Sequence, residues 1–240
     1  GDCRRQQRSR FGRRLQRSFR TADAVIAPDR TTTAELAGCG FDRAQIVSIP
    51  NGVADHLLDH RRDRAAARSA LAAANPDLEV GDQAKLVLTA GRLQRDSGLL
   101  ELLEVWPTVV RRWPQAQLWM IGDGPLRDEL NQRIGDLDVR DSVVLPGSFD
   151  DLADIFSAAD LFVRPSAQSG LPLSVLEAAA VGIPIVVADT PDIRQCAAVC
   201  GPTALLVPPR DHGALGRSVI RMLEQPPPFY ALSAARRSVR

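Results

Sequence analysis

Short apolar runs alternate with amphipathic segments along the 240 residues of this chain. The short runs predict β-strands, and the segments with an apolar residue every three or four positions predict helices. The predicted strands cover residues 23–28, 45–49, 86–90, 117–121, 142–145, 161–164, 184–188 and 204–207. The predicted helices cover residues 31–38, 63–74, 97–111, 125–134, 151–158, 172–181, 191–199 and 211–224.

The strands after residue 85 are apolar at nearly every position and are separated by helices. This pattern indicates an α/β fold, a doubly wound, Rossmann-like parallel sheet covered on both faces. The strand-helix-strand segment before residue 50 cannot cover both faces of its own sheet, so we interpret residues 1–51 as the remnant of a preceding domain. Residues 52–240 form the second domain. Its function is expected in the loops that follow the strands, because doubly wound sheets bind ligands at the carboxyl ends of their strands.

Composition and charge narrow the class of protein. With 45% hydrophobic residues and no apolar run near 18 residues, the chain is expected to be a globular, cytoplasmic protein. Its net charge of +1 argues against a nucleic-acid partner. Eight arginines in residues 1–20 surround an apolar stripe of Phe11, Leu15 and Phe19. Two interpretations stay open for this segment: a solvated helix packed on a sheet, or a peripheral contact with anionic lipid at the inner face of a membrane.

The sequence gives little support for a metal site or a dinucleotide-binding site. The four cysteines form no C-x-x-C pair, and we predict no metal site. The stretch Gly122-Asp-Gly-Pro-Leu-Arg127 follows a predicted strand and opens a predicted helix. Because Arg127 stands where a dinucleotide-binding fingerprint has its third glycine, a nicotinamide site is disfavoured. Gly122 and Gly124 still permit a sharp turn, and Pro125 suits the first position of a helix.

Two loops carry groups suited to phosphate. Arg92 and Arg95 follow the strand at 86–90, where a guanidinium can hold phosphate oxygens with two hydrogen bonds. A surface ion pair explains such an arginine equally well.

The segment from Ser166 to Ala180 combines an anion site with a carboxylate. Gly170 lets the backbone approach a ligand, and Pro172 suits a helix start, so the N–H groups of residues 171–174 offer an anion site. Glu177 lies one turn further on, in a helix otherwise rich in Leu and Ala, where sugar hydroxyls would be suitable donors to its carboxylate. The alternative is a solvated Glu177, or one stabilised by the helix dipole. The first interpretation predicts a site for a nucleotide diphosphate.

A set of short motifs occurs in fixed order between about residues 20 and 225. They are Ile49-Pro-Asn-Gly-Val53, Gly91-Arg-Leu93, Ile121-Gly-Asp-Gly-Pro125, Ala159-Asp-Leu-Phe-Val163, Pro165-Ser166, Gly170-Leu-Pro172, Leu176-Glu-Ala178, Gly182-Ile-Pro-Ile-Val186 and Leu206-Val-Pro208. In this order and spacing the set resembles the retaining nucleotide-sugar glycosyltransferases of group 1, which have the two-domain GT-B architecture.

The resemblance implies an activity and its partners. Residues 52–240 would be the donor-binding domain, and residues 1–51 the tail of the acceptor-binding domain. The donor would be a UDP- or GDP-hexose, transferred with retention and without a required cofactor or metal to an unknown acceptor, lipid-linked or saccharide. Because most of the acceptor half would be missing, we expect residues 1–240 alone to transfer no sugar. The alternative is a degenerate, non-catalytic GT-B-like module that serves in binding or as a scaffold.

The resemblance also assigns roles to residues. Arg92 would hold the donor diphosphate, Glu177 the ribose hydroxyls, and Leu145 would lie by the base. Ser97 stands where the family has Lys, Ser169 where it has Glu, and residues 190–195 lack its Gly-Gly turn. Each lost charge-assisted contact should cost about 1.5–3 kcal/mol. The candidate catalytic positions are Arg92, Ser97 and Ser169, and the candidate donor-binding residues are Gly91, Arg92, Gly122, Leu145, Gly170, Leu171, Pro172, Leu173, Ser174 and Glu177.

Overall fold

A computed structural model describes residues 21–55, 57, 63–166, 172–194 and 201–228 of the chain. These residues fall into two compact units, one of residues 21–51 and one of the remaining described residues. The Arg-rich segment 1–20 and the second part of the helix predicted at 191–199 lie outside the described residues. The assignment of the two units to an acceptor and a donor domain stays a prediction.

The first unit is a strand-helix-strand segment, as predicted. It consists of β1 (Val25–Ala27), α1 (Arg30–Gly38) and β2 (Ile46–Ser48), and its two strands are parallel. Helix α1 begins at Arg30 because the Asp29 carboxylate accepts a 2.6 Å hydrogen bond from the Thr32 N–H. Ile26 and Val47 are register partners and are 62% and 43% exposed. The two strands therefore leave apolar side chains uncovered.

The second unit contains a six-stranded sheet and six helices with bounds among its described residues; residues 191–194 are also helical. Its strands are β3 (Leu86–Ala90), β4 (Gln117–Ile121), β5 (Val143–Gly147), β6 (Leu161–Arg164), β7 (Ile185–Ala188) and β8 (Ala204–Val207). Its helices are α2 (Arg64–Ala74), α3 (Leu99–Arg112), α4 (Arg127–Asp136), α5 (Ala153–Ala158), α6 (Leu173–Val181) and α7 (His212–Glu224).

All six strands are parallel, in the order β5-β4-β3-β6-β7-β8. The predicted doubly wound α/β fold is thus confirmed. The chain winds outwards from β3 to β5, then crosses back to β6 on the other side of β3. The carboxyl ends of β3 and β6 therefore lie side by side at the point where the winding reverses, which is where sheets of this kind bind ligands.

Helix starts differ from their predicted positions for local reasons. Helix α3 begins at Leu99 instead of residue 97, because residues Arg95–Ser97 form a 3₁₀ turn and Gly98 takes a left-handed conformation with φ of 74°. Helix α4 begins at Arg127, and Pro125 lies in the turn before it instead of at the first helical position. Pro172, expected at the start of α6, is its N-cap residue.

The core of the second unit lies on both faces of the sheet. Trp106 of α3 and Trp119 of β4 are fully buried, as are Phe156 and Phe162, whose ring centroids are 5.6 Å apart. The indole N–H of Trp106 donates to the Ser142 hydroxyl at 3.0 Å, so this buried polar group is satisfied. Among the described residues, no helix combines the length and the apolar character needed to cross a membrane.

A buried ion pair fastens α2 to the amino ends of β3 and β6. The Asp160 carboxylate accepts from the Arg68 guanidinium and from the Leu86 backbone N–H, both at 2.8 Å. Arg68 is 7% exposed and also donates to three backbone carbonyls. Burial lowers the pKa of Arg68, and the charge of Asp160 opposes that shift. The more exposed Arg64 binds the second Asp160 oxygen.

Candidate functional site

Backbone hydrogen bonds join the loops after β3, β4 and β5. The N–H of Gly91 donates to the Ile121 carbonyl at 3.0 Å, and the N–H of Leu93 donates to the Asp123 carbonyl at the same distance. The N–H of Gly122 donates to the Gly147 carbonyl at 2.8 Å, which extends β5 beyond its predicted end at residue 145. These three main-chain hydrogen bonds therefore link the loops after β3, β4 and β5 directly.

Gly122 and Gly124 are required by the closeness of the loop after β3. A Cβ atom on Gly122 would lie 2.0 Å from the Gly91 carbonyl oxygen, and one on Gly124 would lie 2.3 Å from the Leu93 oxygen. Their φ angles are 129° and 157°, which residues with side chains rarely adopt. The sharp turn predicted from these glycines is present, and the structure adds that another backbone packs directly against it.

The loop after β3 also contacts the loop after β6. The buried Ser166 hydroxyl donates to the Asp96 carbonyl at 3.1 Å. A Cβ on Gly98 would lie 2.6 Å from the Pro165 carbonyl oxygen, so the two backbones meet there. The segment that carries Arg92 and the segment that leads towards α6 are therefore neighbours across the switch in winding.

The residues predicted to bind the ligand follow strands β3 and β6. Arg92 is exposed, one residue after Gly91 at the carboxyl end of β3. Glu177 is half-buried in α6, the helix that follows β6. Leu173 is 49% exposed and Ser174 is half-buried in the first turn of α6. Since β3 and β6 are adjacent and parallel, both Arg92 and the start of α6 belong to the carboxyl edge of the sheet.

Of the two serines that stand where the resembled family has Lys and Glu, Ser97 is among the described residues and Ser169 is not. Ser97 is 1% exposed, and its hydroxyl donates to the Gln94 carbonyl within the same turn. It offers no charge to a ligand. Ser169, with Gly170 and Leu171, lies outside the described residues. The roles given to these positions stay predictions.

Two other arginines near this edge are engaged by the protein itself. Arg95 forms an exposed ion pair with Glu129 of α4, with 2.6 Å between its Nη2 and the carboxylate. For Arg95, the structure therefore supports the alternative stated in the sequence analysis, a surface ion pair. Arg127 donates at 2.8 Å to the carbonyl of Leu145, the residue predicted to lie by the base.

The segment after β7 is held by an ion pair. Arg194 binds Asp189 with two hydrogen bonds, Nε to Oδ1 at 2.6 Å and Nη2 to Oδ2 at 2.9 Å. The hydrogen bonds from Arg194 lower the pKa of Asp189, and those to Asp189 raise the pKa of Arg194. This pair occurs in the region that lacks the Gly-Gly turn of the resembled family.

Sequence reasoning missed Arg164, the last residue of β6. Its Nη1 donates to the Ala90 carbonyl at 3.0 Å, so the side chain reaches across to the end of β3. Its Nε is buried and has no partner among the described residues, and burial lowers its pKa. The available signal was an arginine at the end of the otherwise apolar strand Leu161–Arg164.

The strand order defines a doubly wound α/β domain, with the loops after β3 and β6 at the switch in winding. Comparison with protein families specifies the class further. The model for "Glycosyl transferases group 1" matches residues 84–225, more than half of the chain. The model for "Glycosyltransferase Family 4" matches residues 3–57. The chain belongs to the group 1 glycosyltransferases, and the predicted family is confirmed.

Two curated relatives show how much of a whole enzyme the chain represents. Mannosylfructose-phosphate synthase of Agrobacterium fabrum is 30% identical over 228 residues, which are 88% of this chain and 48% of the relative. Alpha-D-kanosaminyltransferase of Streptomyces kanamyceticus is 29% identical over 60% of this chain and 38% of the relative. The chain thus spans less than half the length of each of them.

Solved structures agree with the fold. Sucrose-phosphate synthase of Thermosynechococcus elongatus superimposes with a TM-score of 0.74 at 26% identity, over 94% of this chain and 55% of that one. HepE of Anabaena, solved in complex with UDP and glucose, has a TM-score of 0.79 at 21% identity, over 98% and 62% of the two chains. Both are GT-B glycosyltransferases, so the GT-B fold is confirmed.

Proposed function

We propose that this chain binds a nucleotide-diphosphate sugar, UDP- or GDP-hexose, at the carboxyl edge of β3 and β6. The complete protein would transfer the hexose with retention to a lipid-linked or saccharide acceptor. Membership of the family supports a transferase, and the UDP-glucose complex of HepE supports the class of donor. The observation that carries the proposal is that Arg92 directly follows β3 and that α6 is the helix after β6, two adjacent parallel strands between which the winding of the sheet reverses.

Each group has a separate task in this proposal. Arg92 holds the diphosphate, and the N-terminal end of α6 adds backbone N–H groups and the positive end of a helix dipole. Pro172 at the N-cap has no side-chain acceptor, and its carbonyl accepts from the Val175 N–H, beyond the N–H groups of residues 173 and 174. Glu177 accepts from the ribose hydroxyls. During transfer the diphosphate gains negative charge as it leaves, and fixed positive groups stabilise that charge without a metal or cofactor.

The acceptor and the cellular location follow from the same proposal. Residues 1–51 would be the end of the acceptor-binding domain, and the reaction would take place in the cytoplasm. Peripheral contact of the Arg-rich segment with the inner face of a membrane would suit a lipid-linked acceptor. No nucleic-acid partner is proposed.

Calorimetric titration with UDP and with GDP tests the donor site. Replacing Glu177 by alanine should weaken binding of the preferred nucleotide about tenfold or more, close to 1.4 kcal/mol, because the ribose loses a charged acceptor. Glu129→Ala, which removes a carboxylate that pairs with Arg95 on the neighbouring α4, is the matched control and should leave the affinity unchanged. If neither nucleotide binds the unmodified protein at millimolar concentration, the donor site is refuted.

A non-catalytic binding or scaffold module is the second candidate. The buried, internally bonded Ser97 favours it, since the loop after β3 has no lysine at this position. A protein with the acceptor half attached distinguishes the two: release of UDP or GDP from the nucleotide sugar in the presence of acceptors supports the transferase. Nucleotide binding without turnover supports the module. Residues 1–240 alone are expected to bind donor and transfer no sugar.

A further inference from the structure

Arg164 places a guanidinium against the loop that carries Arg92. A Cβ atom on Gly91 would lie 2.5 Å from its Nη1, so the guanidinium packs directly on the backbone of Gly91. Its Nη1 binds the Ala90 carbonyl, one residue earlier. The side chain therefore spans from the end of β6 to the end of β3, at the carboxyl edge where the winding reverses.

The surroundings of Arg164 leave its charge uncompensated. The side chain is half-buried, and within the part of the chain that the structure describes no carboxylate pairs with it. Its buried Nε also finds no acceptor there. A cation removed from water is costly unless an anion or further acceptors compensate it. The position is thus suited to a bound anion.

Other arginines at this edge are engaged elsewhere. Arg95 pairs with Glu129, Arg127 donates to the Leu145 carbonyl, and Arg194 pairs with Asp189. Ser97 is neutral and bonded within its own turn. Among the described residues, Arg92 and Arg164 have no carboxylate partner; Arg92 follows Gly91 in the chain, and Arg164 packs on the Gly91 backbone.

We propose that Arg164 is a second cation for the donor diphosphate and acts together with Arg92 across Gly91. The inference rests on the proposed donor site and adds a residue to it. Two guanidinium groups beside one diphosphate give charge-assisted hydrogen bonds from two directions, which fix the leaving group as well as attract it. Arg164 would replace, from the adjacent strand, the charge that Ser97 does not supply.

A purely structural Arg164, which only binds the Ala90 carbonyl, makes a different prediction. Arg164→Gln keeps an amide donor and removes the charge, and Arg164→Lys keeps the charge. If the role is structural, the glutamine variant should bind nucleotides normally. If Arg164 binds the diphosphate, the glutamine variant should lose affinity for phosphate-bearing ligands alone, and lysine should restore much of it.

Calorimetric titrations with UDP, uridine and inorganic pyrophosphate, and with GDP and guanosine, separate these outcomes. For Arg164→Gln we expect affinity for the nucleoside diphosphate and pyrophosphate to fall about tenfold or more, with nucleoside affinity unchanged. Arg95→Gln is the matched control and should bind like the unmodified protein. Thermal unfolding of each variant verifies that it is folded. Undiminished nucleotide affinity in a folded Arg164→Gln variant overturns the proposal.

Failure of the donor site and failure of this inference give different results. If the protein binds neither UDP nor GDP but binds pyrophosphate through Arg164, the donor proposal fails and the anion site stands. If Arg164→Gln does not fold, the nitrogen-15 NMR signal of the Arg164 side chain in the unmodified protein decides, with Arg164→Lys identifying the signal. A shift on addition of pyrophosphate supports the proposal, and an unchanged signal overturns it.

Discussion

Replacing Asp160 by alanine is expected to lower the free energy of unfolding by about 3–5 kcal/mol, because it leaves the buried Arg68 without its anion. The carboxylate also accepts from the Leu86 N–H, so the substitution removes a partner from the first residue of β3. Arg68 keeps its bonds to three backbone carbonyls, which do not neutralise its charge. Urea denaturation followed by circular dichroism measures the change.

Arg64→Ala is the matched control for this ion-pair cluster. Its side chain is 52% exposed, whereas that of Arg68 is 8% exposed, although both bind Asp160. Solvent screening should limit its effect to about 0–1 kcal/mol. Equal losses for Asp160→Ala and Arg64→Ala would show that burial does not set the strength of this cluster.

Gly122→Ala is expected to have the second large effect, about 3 kcal/mol or more, from unfavourable backbone conformation and from overlap, each on the order of 1–3 kcal/mol. The new Cβ would lie 2.0 Å from the Gly91 carbonyl oxygen, a backbone atom that cannot rotate away. Any relief displaces Gly91 and with it Arg92. Nucleotide affinity should therefore fall together with stability, as titration and urea denaturation on the same sample would show.

Gly147→Ala separates the two contributions to this effect. Gly147 also has a positive φ, 97°, but a Cβ there meets nothing within 4 Å. It should show the conformational part of the loss, about 1–3 kcal/mol, without the overlap. If the two alanine variants lose equal stability, the contact between the loops after β3 and β4 yields easily and does not fix the position of Arg92.

The strands were the most predictable part of the fold. The bounds of β3, β4, β6 and β8 match those predicted from the apolar runs, because a strand buried on both faces must be apolar throughout. Helix starts depended on contacts between loops, which leave no periodic signal. The left-handed Gly98, for example, is explained by the Pro165 backbone that lies against it.

The candidate site was predictable only as far as single loops carry their own chemistry. Glycine and arginine after a strand, and a glycine-proline entry to a helix, indicated phosphate contacts at Arg92 and at the start of α6. Arg164 escaped notice because its partner carbonyl is 74 residues away in the sequence. That contact exists only because β6 pairs with β3, and the apolar pattern predicts strands but not their order.

The two ends of the parallel sheet are secured by different means. Charged side chains bind the amino ends, whereas at the carboxyl ends main-chain groups and glycines link the loops after β3, β4 and β5. Exposed side chains that make no bond to these main-chain groups, such as that of Arg92, can be exchanged without disturbing the backbone that supports them. A scaffold of this kind allows the specificity for sugar or base to change through substitutions in the loops, while the fold that supports them is inherited unchanged.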